Sequence, residues 1–377
     1  MKFSFSMTSL SLSPEGDEAM MESEIALGLL ADELGYDMVK MGERHFSGLG
    51  GGNPLQMLAA LAPRLKHAWV GTGVTVVPDH HPVRLAEQIN ILDHLAKGKS
   101  LVGLGSGMSP EDAAAFGFDV RDQNRLMFDE GVEALLRLWA KRSNDPPVPV
   151  DTRYHKGTLL ERICPSPYRK DQPYLKTTAS SPQHIERAAR NGWPVYLMGR
   201  DAEEVRPTFE RYRAAVAARS HPDDVLDHCA RWTSVVTLAM HIAETDALAA
   251  EEAAYLDRGI ESLIERKQLL GSQAKRLQGV EDELPGATRR GREFREHMRI
   301  VGGPETIAGH VGALADLGLG LFQVAFTGPS DEAGGILVRK ALRLFAEQII
   351  PRFRDRAVPR YAPSGDTDIN ASIGSIA

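Results

Sequence analysis

Along the chain, short apolar runs alternate with longer stretches in which apolar residues recur every three or four positions, the alternation that builds βα units on a parallel sheet. Lys2–Met7 reads as a first strand and Asp17–Leu34 as its helix, with Ala26, Leu29, Leu30 and Leu34 at helical spacing and Gly35 just past the end. Asp37–Met41 follows as the second strand. Asn53–Leu65 then reads as a helix opened by Asn53 with Pro54 at its first position. Trp69–Val77, Pro82–Ala96 and Ser100–Leu104 supply the third strand, its helix and the fourth strand. A strongly amphipathic helix over Arg125–Lys141 leads into Arg142–Pro173, a polar, proline-rich loop or small hairpin that separates the two halves. Tyr174–Thr178, Pro194–Met198, Trp232–His241 and Leu321–Thr327 complete the strands. Helices are expected over Pro182–Asn191, Ala202–Ala218, Ala243–Glu265, Pro304–Leu317 and Asp331–Glu347.

This succession predicts an α/β fold, a (β/α)8 TIM barrel with insertions after strands four and seven. An open, doubly wound sheet would show the same alternation, but SLSLSPEG after the first strand lacks the GxGxxG of the open dinucleotide fold. The barrel domain is expected over 1–353 and a flexible tail over 354–377. The charged, glycine-containing stretch Arg266–Arg299 breaks the repeat and reads as a mobile insertion after the seventh strand.

Composition narrows the partners. With 42% hydrophobic and 25% charged residues the chain has an ordinary globular make-up, far from that of a disordered protein. A net charge of −7 and a pI near 6.0 argue against nucleic acid or an anionic membrane, which call for a clustered basic surface. The opening MKFSFSMTSLSLSPEG is too short and polar for a signal segment, and no apolar run reaches the length of a membrane helix. Cys164 and Cys229 are too few for a disulfide framework. These features point to a cytoplasmic enzyme with a small-molecule substrate.

In a barrel the reacting groups sit where strands end, so polar residues there are the candidates. After the second strand, Glu43, Arg44 and His45 place an acid, a cation and an imidazole at the rim. A pair that merely ties the loop down accounts for this segment as well. After the third strand come His80 and His81, adjacent and therefore pointing different ways; with no HxH or HxxxH spacing, no metal is expected. Gly103–Gly107 lets backbone approach a ligand or makes a tight turn. Ser180 or Ser181 caps a helix beginning at Pro182, leaving first-turn N–H groups beside a hydroxyl and His184, an anion site or an ordinary cap.

Taken in order, these segments resemble the bacterial-luciferase-like flavin-dependent monooxygenase family. GERHF resembles that family's Glu-His-His-Phe segment, and VGTGVTVVPDHHPVRLAEQINILDHLAKGK resembles its third strand and following helix. The similarity continues through GLGSGM, RLMFDEGVEALLRLW, SSPQHIERAARNGWP and VGGPETIAGHVGALADLGLGLFQVAF, over roughly residues 2 to 350. It implies a barrel binding FMN, delivered as FMNH2 by a separate flavin reductase. Dioxygen would then react through a C4a-peroxyflavin to oxygenate a small organic substrate, carbonyl compounds among the candidates.

By the resemblance, Ser181 and His184, with Ser180 beside them, match positions holding the flavin phosphate. Gly73 and Val74 match a non-prolyl cis peptide under the ring, and Met198 and Gly199 match ring-lining residues. Ser106 falls where luciferase has a phosphate-contacting arginine. Arg44 replaces the histidine that serves luciferase as base, while His45 keeps the second. Arginine stays protonated, so the expected roles are Arg44 as a stabiliser of an anionic oxygen, with His45 and Glu43 as its catalytic neighbours. The same barrel could instead carry an F420-dependent oxidoreductase or a flavin-binding protein without turnover. A homodimer is expected by analogy alone.

Overall fold

In the computed structural model, the described residues are 1–361 apart from 12, 108, 122–123, 170, 238 and 281–296. Eight parallel strands close a barrel. We label them β1 (Lys2–Met7), β2 (Met38–Met41), β3 (Trp69–Val76), β4 (Ser100–Gly105), β5 (Leu175–Thr178), β6 (Val195–Leu197), β7 (Ser234–Val235) and β8 (Leu321–Val324). Each pairs with its sequence neighbour, and β8 closes the ring by aligning Leu321 with Lys2 and Val324 with Phe5. The expected barrel is therefore the observed one.

Local signals account for most helices. Asn53 accepts from Gln56 N at 3.2 Å, and Pro54 occupies the first position where no N–H is needed. Proline opens the helices Pro82–Leu95, Pro182–Asn191 and Pro304–Asp316 in the same way. Between strands and helices lies one apolar core, in which Phe3, Phe322, Phe345 and Tyr36 pack as a ring cluster. Tyr36 satisfies its buried hydroxyl on Leu342 O at 3.0 Å.

The barrel interior is unusually polar. Lys176 is fully buried and donates to Trp232 O at 2.5 Å and Ser234 Oγ at 2.8 Å. Tyr196 donates to Thr72 O at 2.8 Å and lies between Lys176 and Lys40, whose ammonium groups are 3.9 and 4.8 Å from its ring centre. Burial, helped by Arg44, pushes Lys40 down to about 7.

Three expectations need correction. Trp232–His241 is not one strand: Trp232 ends a helix, Asp223–Trp232, and β7 is two residues long. Ala239–Ile242 instead pairs in parallel with Arg299–Gly302, outside the barrel. The helix after it does not stop at Glu265 but runs Asp246–Leu277, so Arg266–Leu277 is helical. At its internal Gly259 a side chain would press on Leu10, so the glycine lets the helix close against the barrel end. Lys267 pairs with Glu111 at 3.4 Å, and the Gln278 side chain bonds Val120 N and Phe118 O. The rest of the expected mobile insertion, 281–296, lies outside the described residues.

The Arg142–Pro173 excursion is a hairpin, Val148–Asp151 against Lys156–Leu159. Of the stretch expected as a flexible tail, Tyr361 is buried on Phe209 and Tyr212, and Arg360 pairs with Asp223 and Asp227. Residues 362–377 lie outside the described residues.

Candidate active site

At the C-terminal end of the barrel, β2 and β3 come together through two glycines. A side chain at Gly42 would meet Gly73 O at 2.9 Å, and one at Gly73 would run into the Lys40 ammonium, so only bare backbone fits at this floor. The Gly73–Val74 peptide is cis. Above this floor is a small cavity of about 80 Å³, whose walls include Ser6, Thr8, Arg44, Thr237 and Gln323.

Arg44 is the cation of this cavity. Its side chain is accessible to solvent although protein surrounds it on almost every side, as expected of a group lining a recess rather than a convex surface. Among the described residues it makes no salt bridge, and the described cavity walls carry no carboxylate. Gln323 donates to Thr237 O at 3.2 Å and leaves its buried Oε1 without a partner. Arg44 and Gln323 therefore present unspent polar capacity to whatever enters.

Behind Arg44 sits a second group of residues. Glu43 is buried and accepts from Val76 N at 2.7 Å, while its Oε1 is 2.7 Å from His80 Nε2 and 3.2 Å from His45 Nε2. Burial alone would raise its carboxyl, but the hydrogen bonds from His45 and His80 hold it below the ordinary value. His45 shows the opposite balance: burial pulls it down, yet the bond to Glu43 and the nearby Asp112 and Asp79 carry it upward. Asp79 is pushed up to about 7, first by burial and then by Glu43 and Asp112. Of the adjacent histidines, His80 faces Glu43, whereas His81 caps its helix by accepting from Val83 N at 3.3 Å.

A third group forms where β5 meets the helix Pro182–Asn191. Ser181 Oγ accepts from His184 N at 3.2 Å, leaving its own hydrogen free to donate. Ser180 Oγ is 2.7 Å from His184 Nδ1, and the ring's Nε2 is buried with no partner. Burial, then Arg187 and Arg125, lower the His184 pKa. A helix start, two hydroxyls and an unpartnered imidazole nitrogen make a donor set suited to a phosphate, with Arg125 adding positive charge and Arg187 ion-paired to Asp129 at 2.6 Å.

The structure thus unites Glu43 with His45, Gly73 with the strand-two glycine, and Ser180 and Ser181 with His184. Ser106 stands just past β4, and Met198 and Gly199 just past β6, with Met198 42% exposed. Sequence reasoning missed Asp79, Gln323, Arg125 and Arg187. Arg125 carried a usable signal, since it opens an amphipathic helix that follows a strand end. Gln323 lies inside an apolar run, where its direction is set only by the barrel.

The family model for luciferase-like monooxygenases matches residues 1–320. The chain belongs to that family. Among curated relatives, the alkanal monooxygenase alpha chain of Photorhabdus luminescens is 28% identical over 214 residues, covering 56% of this chain and 58% of that protein. The matched part is thus under two thirds of that relative's length. The crystal structure of monooxygenase RslO1 from Streptomyces bottropensis superposes with TM-score 0.73 at 25% identity, covering 94% of this chain and all of that one. The oxygenating constituent of 3,6-diketocamphane monooxygenase from Pseudomonas putida, a type II Baeyer-Villiger enzyme in complex with FMN, gives 0.69 at 19% identity over 95% and 99%. A coenzyme F420 dependent tetrahydromethanopterin reductase from Methanopyrus kandleri shares the fold, with TM-score 0.63 at 16% identity over 93% and 99%. Among the described residues, no helix is long and apolar enough to cross a membrane.

Proposed function

We propose that this luciferase-like monooxygenase uses FMN, supplied in reduced form by a separate reductase, with dioxygen to oxygenate a small organic substrate. The observation that carries the cofactor reading is the donor set at the start of Pro182–Asn191, where, among the described residues, His184 Nε2 is buried without a partner and feels the charges of Arg187 and Arg125. The FMN complex of the diketocamphane enzyme supports the same reading. When bound, reduced flavin supplies the electrons that activate oxygen. The chain's own residues bind, orient and stabilise. Ser181, Ser180 and His184 hold the phosphate, Arg125 contributes positive charge beside it, and the Gly42–Gly73 floor admits the flat ring system against backbone.

Ser106, Val74, Met198 and Gly199 complete the proposed cofactor contacts. Arg44 faces the cavity and stabilises negative charge developing on an oxygen, most effectively once a bound ligand shuts water out of the recess. Glu43 and His45 do not line the cavity; they act through Arg44 by fixing residues 42–46.

The F420 reductase with this fold favours a second reading, hydride transfer without oxygen. Anaerobic titrations with FMNH2 and with reduced F420, each followed by admission of oxygen, separate the two. Tight FMNH2 binding with reoxidation slower than that of free flavin supports the monooxygenase. Selective F420 binding with no effect on FMNH2 reoxidation overturns it.

A further inference from the structure

The group behind Arg44 contains an unmet electrostatic demand. Among the described residues, both carboxylate oxygens of Asp79 are buried without a hydrogen-bond partner, and the side chain is only 1% exposed. Such burial is costly, because no donor replaces the lost water. Asp79 Oδ2 lies 3.8 Å from His45 Nε2, which is itself 3.2 Å from Glu43 Oε1. The three ligand atoms lie within 4.8 Å of one another. The His45–Glu43 contact is long for a charge-assisted bond, which closes to about 2.7–2.9 Å. Atoms sharing one tetrahedral first-row ion at bond lengths of about 2.0–2.2 Å stand roughly 3.3 Å apart, between the two observed separations. Two carboxylates and an imidazole form a donor set that such ions take, while His80 stays hydrogen-bonded to the same Glu43 side chain.

We infer that Glu43, His45 and Asp79 form a binding site for a divalent first-row transition ion, which clamps the end of β2 to the end of β3 directly behind Arg44. The ion would satisfy both the buried Asp79 oxygens and the excess of carboxylates around them, with Asp112 adding its field from the neighbouring helix Pro110–Phe116. The inference stands apart from the flavin reading, since the site uses none of the proposed phosphate ligands.

The test is calorimetric titration of tag-free, chelator-dialysed full-length protein with Zn2+, alongside thermal melts with and without the metal. One equivalent with micromolar or tighter affinity, and a higher melting temperature in its presence, is the expected result. Asp79→Asn should weaken that affinity by about 100-fold or more, whereas His67→Gln, at the opposite end of the barrel, should not. Metal-free Asp79→Asn should melt no lower than the parent, since it removes an unpartnered buried charge. On the unaltered protein, Co2+ should give the visible bands of a tetrahedral site, a readout independent of any variant. Only weak, multiple sites insensitive to Asp79→Asn, or no tetrahedral cobalt spectrum, would overturn the inference.

Discussion

The two ends of the barrel handle charge in opposite ways. At the N-terminal end the charges of Met1 and Asp37 are answered: the Met1 amino group donates to the carbonyls of Phe353, Arg354 and Arg356 at 2.9–3.0 Å, and Asp37 accepts from Lys2, Arg354 and Phe3 N. Asp32 takes the amides of Lys66, His67 and Ala68. At the C-terminal end, among the described residues, Arg44 lacks an ion pair, and Asp79, His184 and Gln323 keep buried polar atoms without partners. Hollow size points the wrong way, since hollows of about 420 and 640 Å³ lie around Lys2 and Asp37 while the Arg44 cavity is about 80 Å³. Around Arg44 and His184 the unsatisfied groups cluster with cations in a recess, and it is this clustering that marks where a ligand is awaited.

The sharpest way to break this contrast is Arg44→Ala. It should lower substrate-coupled turnover by about 10²-fold, the scale of losing one preorganised donor to a developing oxyanion, while FMN affinity and melting temperature stay near those of the parent. Product formation against hydrogen peroxide release, measured with a generic flavin reductase, reads the effect; unaltered coupling would remove Arg44 from the chemistry. The mirror experiment is Asp37→Ala at the other end. It breaks a partly exposed cluster, so a loss of about 2 kcal/mol is expected, between the scales of exposed and of buried ion pairs. Thermal melts should register it and FMN titrations should not.

What was legible in the sequence was local. Apolar runs such as Trp69–Val76, and prolines at helix starts, act through their immediate neighbours, so six of the barrel strands and the Ser181 cap could be located within a residue or two. β7 could not be, because Ser234 and Val235 are a strand only through their register with Tyr196, Leu197 and Leu321. Asp223–Trp232 hid behind its charged first turn, and Arg266–Leu277 read as a mobile insertion because its charge and Gly271 broke the apolar repeat, although it continues the preceding helix. The site divides the same way. Arg44 and His184 directly follow strands and announce themselves, whereas Asp79 matters only because Glu43, His45 and Asp112 arrive from other loops.

Ser181→Ala tests whether the unsatisfied end binds a phosphate. Its hydroxyl caps the helix and would also donate to the ligand, so the substitution should weaken FMN by about 1–2 kcal/mol, or roughly 5- to 30-fold. Riboflavin, which lacks the phosphate, serves as the control. If FMN and riboflavin weaken equally, Ser181 is a cap and nothing more.

The smallest expected effect comes from a charge at the C-terminal end that no proposed ligand touches. Glu24 is fully buried beneath the residues following β1, accepting from Ser9 N at 2.6 Å through Oε1 while Oε2 has no partner. Burial pushes its carboxyl up to about 7, against the lowering effect of the Ser9 bond. The folded state therefore holds a proton that the unfolded chain, near the ordinary value of 4.5, has released. Stability from this group is full below about 4.5 and is lost as the pH rises through about 7, because the folded protein then binds more protons than the unfolded one. Glu24→Gln keeps the acceptor for Ser9 N and removes the buried charge. It should raise stability by about 1 kcal/mol at pH values well above 7, the scale of relieving one unsatisfied buried group, with the gain shrinking steadily toward pH 5. Melts of both proteins across that range decide the matter. A gain independent of pH would mean that Glu24 does not titrate in the folded state, and its orphaned oxygen would then need another explanation than a bound proton.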